Sequence, residues 1–210
     1  MFTDLTLNQF LDALASKEPV PGGGSGAALG GALAAALVSM VCNLTIGKKG
    51  YEAVEQQMKD VLAESEAIRA ELPKLLEADT QAYAQVMAAY RLPRSTDEEK
   101  ATREALLQQR FKEAAEVPLR IAERCGAVVA LALPAARMGN KWAVSDAGVA
   151  ALLGEASLRS ALLNVEINLA SIKDPAFAAE MRDKMAALEA TAAATKDQVM
   201  QIVHQTITAQ

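Results

Sequence analysis

From Pro19 to Gly47 the chain carries no charged residue. A run of that length has two stable homes, a bilayer or the centre of a helical protein, and its surroundings decide between them. Ala and Gly dominate the run, Ser25, Ser39, Asn43 and Thr45 interrupt it, and Gly26 and Gly30 form a small-xxx-small step that permits close approach of a neighbouring backbone. The amphipathic stretches elsewhere would have nothing to cover if this segment lay in lipid. It therefore predicts a central helix over about 25–45, buried on all sides and ended by Gly47, with no membrane association.

The flanking pattern is helical throughout. Leu7, Phe10, Leu11 and Leu14 share one face of a short helix over 3–16, with Thr3 or Thr6 as N-cap. KEPVPGGGSG breaks it, since proline stiffens the chain and glycine opens conformations that other residues avoid. From Tyr51, steps of three and four through Met58, Val61, Ile68, Leu72 and Leu76 predict a long helix, bent near Pro73 and stopping at Leu92-Pro93. Ser95 or Thr96 with Glu98 or Glu99 forms a capping box for the next, which Pro118 is expected to kink and Pro134 to stop. MGNKWAVSDAG reads as a loop, with Ser145 or Asp146 capping the helix after it. Asp174-Pro175 starts the last helix, whose apolar positions from Met181 to Ile202 step by four and three. With 4% aromatic residues, abundant Ala, Leu, Met, Glu and Gln and no strand alternation, the 210 residues predict an all-α bundle, 1–210 forming one domain.

Charge and cysteine usage narrow the function. A net charge of −5 leaves no basic field to hold a phosphate backbone, so nucleic acid is not an expected partner. Cys42 and Cys125 match neither a zinc spacing nor a disulfide framework, and a reduced, cytoplasmic setting fits them. His204 stands alone near the C-terminus, as a surface residue rather than a general base, and no metal site or nucleotide loop is recognisable. Three polar groups remain. Thr45, Lys48, Lys49 and Tyr51 follow the uncharged helix, where cations complement its dipole. Asp79 with Tyr83 one turn on is flanked by Ala78 and Ala82, which suits a half-buried acid as well as a solvated face. Asn140, Ser145, Asp146, Asn164 and Asn168 suit either contacts between helices or a ligand. PGGGSG reads as a flexible connector or as a nest of free N–H groups.

PVPGGGSGAALGGALAAALVSMVCNLTIGKKGY, DTQAYAQVMAAYRLP, GNKWAVSDAGVAAL and NVEINL, in that order over nearly the whole chain, resemble the cyclodeaminase/cyclohydrolase family of tetrahydrofolate enzymes. Trp142 departs from the smaller residue usual there. The resemblance implies an all-helical homodimer with a folate substrate and no cofactor. It also implies interconversion of 5,10-methenyltetrahydrofolate with 10-formyltetrahydrofolate by water, or with 5-formiminotetrahydrofolate by ammonia. The absence of a formiminotransferase domain favours water. A non-catalytic helical folate-binding or dimerisation protein is the alternative, suggested by the seam from Met181 to Ile202. On the matching positions, Asp79 is the expected acid/base group, Asp146 the second choice, and Lys48 the cation that polarises water or the formyl oxygen. Asn43, Tyr51, Tyr83, Asn140, Asn164 and Asn168 would hold the pterin or formyl group, with Gly22, Gly23, Gly24 and Ser25 as a backbone wall.

Overall fold

The computed structural model describes residues 1–209, which form six α-helices and three short 3-10 turns. Helices α1 (Leu7–Leu14), α2 (Gly23–Asn43), α3 (Glu55–Tyr90), α4 (Asp97–Met138), α5 (Val144–Leu169) and α6 (Pro175–Thr208) make an all-α bundle. Helix α2 packs against α3, α4 and α5, and α6 lies on α4 and α5. The seam of α6 is spent on this packing: Met181, Met185, Ala192 and Val199 are buried in the main core, so the feature that suggested a dimerisation protein is internal.

Local chemistry sets the helix ends. Thr6 caps α1 and Thr96 caps α4, each in a capping box with the glutamine or glutamate three residues on. Asp174 accepts from the amides of Ala176 and Phe177 ahead of Pro175. Ser145 and Asp146 do not cap α5; the expected loop is shorter, because Lys141–Ala143 form a 3-10 turn that Asn140 caps and α5 starts at Val144. Helix α1 is shorter than the pattern predicts, and only Phe10 of its apolar face is buried.

Proline does not end α4 where local preference says it should. The helix continues through Pro118 and Pro134 to Met138. A proline removes the N–H that would serve the carbonyl four residues back. For Pro118 that is the carbonyl of Ala114, and the side-chain amide of Asn168 on α5 donates to it at 3.0 Å. Pro118 itself is buried among core residues, so packing offsets what the backbone loses. Helix α3 likewise runs unbroken through Pro73.

Helix α2 is long and apolar enough by composition to cross a membrane, but just over half of its most apolar stretch is buried inside the protein. Its inner side is made of small residues. A side chain at Gly31 would run into the Cys125 sulfur, and the hydroxyls of Ser39 and Ser65 meet at 2.8 Å between α2 and α3. The expectation of burial on all sides needs correction: Leu33, Met40 and Leu44 are exposed. Leu33 is 53% exposed at the helix midpoint. A segment without charge looks alike on every side, so nothing in the sequence marks which side is bare.

Candidate active site

The α3–α4 hairpin projects beyond the N-terminus of α2. Its stem is closed by a small apolar cluster of Val86, Ala89, Leu107, Phe111 and Ala114, with the Tyr90 ring edge-on to Phe111. Between this stem, the glycine segment and the C-terminal end of α5 lies a cavity of about 370 Å³, within the range that takes small-molecule ligands. Pro19, Gly22–Gly24, Asp79, Tyr83, Asn164 and Asn168 are among the residues lining it.

Asp79 is held against the first turn of α2. Its carboxylate lies so close over Gly24 that a Cβ there would sit 2.6 Å from both oxygens, so residue 24 must be glycine for the acid to keep its place. Ser25 Oγ donates to Asp79 Oδ2 at 3.4 Å, and the Ser25 amide also reaches the carboxylate. The nest expected from PGGGSG is thus filled by the protein's own anion, where the helix dipole favours negative charge. Burial pushes the Asp79 carboxyl above the ordinary carboxylate value, prevailing over the Ser25 hydroxyl and amide, which pull it down.

Asn164 and Asn168 border the same cavity. The Asn164 amide donates to the Ser160 carbonyl, and that of Asn168 to the carbonyls of Ala114 and Asn164. Both donor groups serve backbone, while each carbonyl oxygen keeps its accepting capacity. Tyr83 lies on the same wall and is partly exposed.

The other expected residues lie elsewhere. Lys48, Asn43, Tyr51, Asn140 and Asp146 gather at the opposite end of α2, about 30 Å away by helix length. There the Asn140 amide nitrogen donates to Thr45 Oγ1 at 2.8 Å, its side chain donates to the Leu44 carbonyl and accepts from the Trp142 amide, and the Tyr51 hydroxyl accepts from the Lys141 amide. Lys48 Nζ sits 5.9 Å from the centre of the Tyr51 ring. Trp142 is exposed on its 3-10 turn, with Lys141 over its ring at 5.2 Å. Thr45 is buried and ties back to the Val41 carbonyl. Within one chain the structure therefore unites Asp79, Tyr83, Gly22–Ser25, Asn164 and Asn168, and keeps Lys48 apart from them.

The remaining titratable groups stand aside. Cys42 and Cys125 are free and buried, and burial pushes their thiols up to about 11 and about 12. His204 is exposed on α6. Sequence reasoning missed the Val86–Tyr90 wall of the cavity, whose only signal is the AY motif that continues the helix beyond Asp79.

The formiminotransferase-cyclodeaminase family matches residues 6–187. The chain belongs to this family. It is 48% identical over 198 residues to a methenyltetrahydrofolate cyclohydrolase of Methylorubrum extorquens, covering 94% of this chain and 95% of that one. It is 34% identical to the formimidoyltransferase-cyclodeaminase of Rattus norvegicus, covering 88% of this chain but only 34% of the longer relative. Its fold matches the crystal structure of a formiminotetrahydrofolate cyclodeaminase from Thermotoga maritima with a TM-score of 0.89 at 33% identity, over 99% of this chain and all of that one. The family is enzymatic, which removes the non-catalytic alternative.

Proposed function

We propose that this protein is a methenyltetrahydrofolate cyclohydrolase: it hydrolyses 5,10-methenyltetrahydrofolate to 10-formyltetrahydrofolate, with Asp79 as the acid/base group. The observation that carries the assignment of Asp79 is its buried carboxylate, fixed over Gly24 and Ser25 beside a cavity of ligand size. Identity over nearly the whole length favours water over ammonia, since the cyclohydrolase relative stands at 48% and the cyclodeaminase relatives at 30–36%.

The methenyl carbon bridges N5 and N10 in an amidinium-like cation. A carboxylate beside it stabilises that charge, and a carboxyl raised by burial is the better base toward water. Water oxygen bonds to the bridging carbon and one of its protons passes to Asp79. The N5–C bond then breaks and that proton goes to N5. The second proton leaves for solvent as the carbonyl forms on N10, so substrate cation and water give neutral product and one proton. Asn164, Asn168 and Tyr83 orient the pterin, and the Gly22–Gly24 backbone walls it, with neither metal nor cofactor called upon. A homodimer and a cytoplasmic setting accompany this reading, the latter in keeping with the two free cysteines.

The test is the near-ultraviolet absorbance of 5,10-methenyltetrahydrofolate in a buffer that hydrolyses it slowly. Wild-type protein should remove the absorbance with 10-formyltetrahydrofolate as product, and Asp79→Asn should be roughly 10²–10⁴-fold slower. No acceleration by wild type, with ammonia released from 5-formiminotetrahydrofolate instead, would replace the reaction with the deaminase.

A further inference from the structure

The cavity is elongated, and its two ends carry opposite charge. Asp79, Tyr83, Val86, Met87 and Tyr90 line it along one side of α3. At the rise of an α-helix, Asp79 and Tyr90 stand about 16 Å apart along the axis. At the Tyr90 end, the Arg103 guanidinium of α4 lies over the Tyr90 ring at 5.4 Å, and its Nε and Nη2 donate to the Tyr90 carbonyl at 3.3 and 3.1 Å. A guanidinium carries its N–H groups in a planar fork of five, so this anchor leaves the larger part of the fork free. Across the mouth, Ser171 lines the cavity in the turn between α5 and α6. Gln108 of α4 grips that turn: it donates to the Ser171 carbonyl at 3.0 Å and accepts from the Lys173 amide at 2.8 Å. Lys173 Nζ in turn pairs with Glu104 at 2.7 Å.

Glu104 feels both cations. The bond from Lys173 does most to hold its carboxyl below the ordinary value, and the charge of Arg103 adds to it. The trio of Arg103, Lys173 and Glu104 therefore keeps one positive charge in excess, on a chain whose net charge is −5. With the acid Asp79 at the far end, the cavity has the polarity of a ligand that is cationic at one end and anionic at the other. The methenyl substrate is such a molecule. Its amidinium lies at one end, and beyond the p-aminobenzoyl ring comes an amide-linked glutamate with two carboxylates. Extended, the path from the bridging carbon to the glutamate α-carbon covers roughly 10 Å at ordinary bond lengths. The carboxylates and the length of an arginine side chain cover the remainder. On the way the p-aminobenzoyl ring passes Met87 and Tyr90, whose thioether and aromatic face suit it.

We propose that Arg103 and Lys173 form the subsite that takes the glutamate carboxylates of the substrate, with Tyr90 as the platform for the p-aminobenzoyl ring. The inference rests on the proposed hydrolysis and deepens it, because it fixes which way round the substrate lies. The free part of the Arg103 fork meets one carboxylate in plane, and the Lys173 ammonium is shared between Glu104 and the other. The Tyr90 carbonyl and ring already hold the guanidinium at the cavity mouth, so little ordering is needed when the ligand arrives. Both side chains act on the ground state and the transition state alike, which places their effect in KM rather than kcat.

Removing the glutamate from the ligand separates this role from mere support of the hairpin. Steady-state kinetics of wild type, Arg103→Ala and Lys173→Ala are compared on 5,10-methenyltetrahydrofolate and on its pteroyl methylamide counterpart, which keeps the amide and lacks both carboxylates. Arg103→Ala should raise KM for the glutamyl substrate roughly tenfold or more, and Lys173→Ala by less, with kcat changing far less than KM. Wild type should prefer the glutamyl substrate, and Arg103→Ala should lose that preference. An equal loss on both substrates would make Arg103 a support of the hairpin and overturn the proposal, as would an unchanged KM for the glutamyl substrate. Calorimetric titration with tetrahydrofolate and with tetrahydropteroyl methylamide makes the same comparison without turnover. A wild type inactive in hydrolysis whose preference for the glutamyl ligand disappears in Arg103→Ala would strike the reaction and leave the subsite standing. A wild type that binds both ligands equally would strike the subsite, whatever its activity.

Discussion

The two ends of α2 carry the same kinds of residue and use them differently. At the N-terminal end Asp79, Asn164 and Asn168 surround a cavity, and the two asparagines retain carbonyl oxygens that no backbone group consumes. At the C-terminal end Asn140, Thr45 and Tyr51 are engaged with the backbone of the turns that join α4 to α5 and α2 to α3. Buried polar residues satisfied on all sides hold a fold, and those with capacity left over hold a ligand. One end thus borders an open cavity, and the other ties the turns of the fold together.

The sharpest way to break the comparison is at Gly24. A methyl group there would lie 2.6 Å from the Asp79 oxygens, so Gly24→Ala must push the carboxylate away from the Ser25 hydroxyl. A catalytic group misplaced by about 1 Å costs on the order of 10²-fold, and kcat should fall by about that much with the helix content intact by circular dichroism. A wild-type kcat would mean that the position of the acid over α2 is irrelevant to turnover.

The corresponding change at the other end should strike stability. Asn140 is buried, and Asn140→Ala removes the acceptor of the Trp142 amide and the donor to the Leu44 carbonyl. Such a loss costs roughly 1–3 kcal/mol, which in a chain of this size lowers Tm by on the order of 5 °C. Below the transition, kcat should drop less than in Gly24→Ala. A fall in kcat as large as that of Gly24→Ala, with Tm unchanged, would make Asn140 a ligand-holding residue and erase the contrast between the ends.

How much of this was legible depends on the range of the interactions concerned. The caps at Thr6, Thr96 and Asp174 and the four-three seam of α6 are local, and the sequence displays them. The passage of α4 through Pro118 is not, because the group that serves the orphaned Ala114 carbonyl is Asn168, 54 residues further on. The asparagine pair is odd for a helix interior and by sequence suits a helix contact or a ligand equally; Asn168 bonds to α4 and also borders the cavity. The family motifs name Asp79 and Lys48 together, while chain geometry sets them a full helix apart.

The smallest effect separates the opposing influences on Asp79 itself. Its folded-state pKa lies above the ordinary carboxylate value because burial outweighs the Ser25 bonds. At a pH below that ordinary value the group is neutral whether the chain is folded or not, and nothing is lost. As pH rises, the unfolded chain ionises first, so stability falls until the pH has passed the raised folded-state pKa and then levels off. Asparagine does not titrate and escapes this loss. Asp79→Asn should therefore gain on wild type in Tm as pH rises from about 4 to about 7. A gap that instead moves in favour of wild type over the same interval would mean that the α2 dipole and the Ser25 bonds hold the carboxylate more strongly than burial opposes it. In that case the acid would be a poor base toward water, and its part in the reaction would reduce to stabilising the cation.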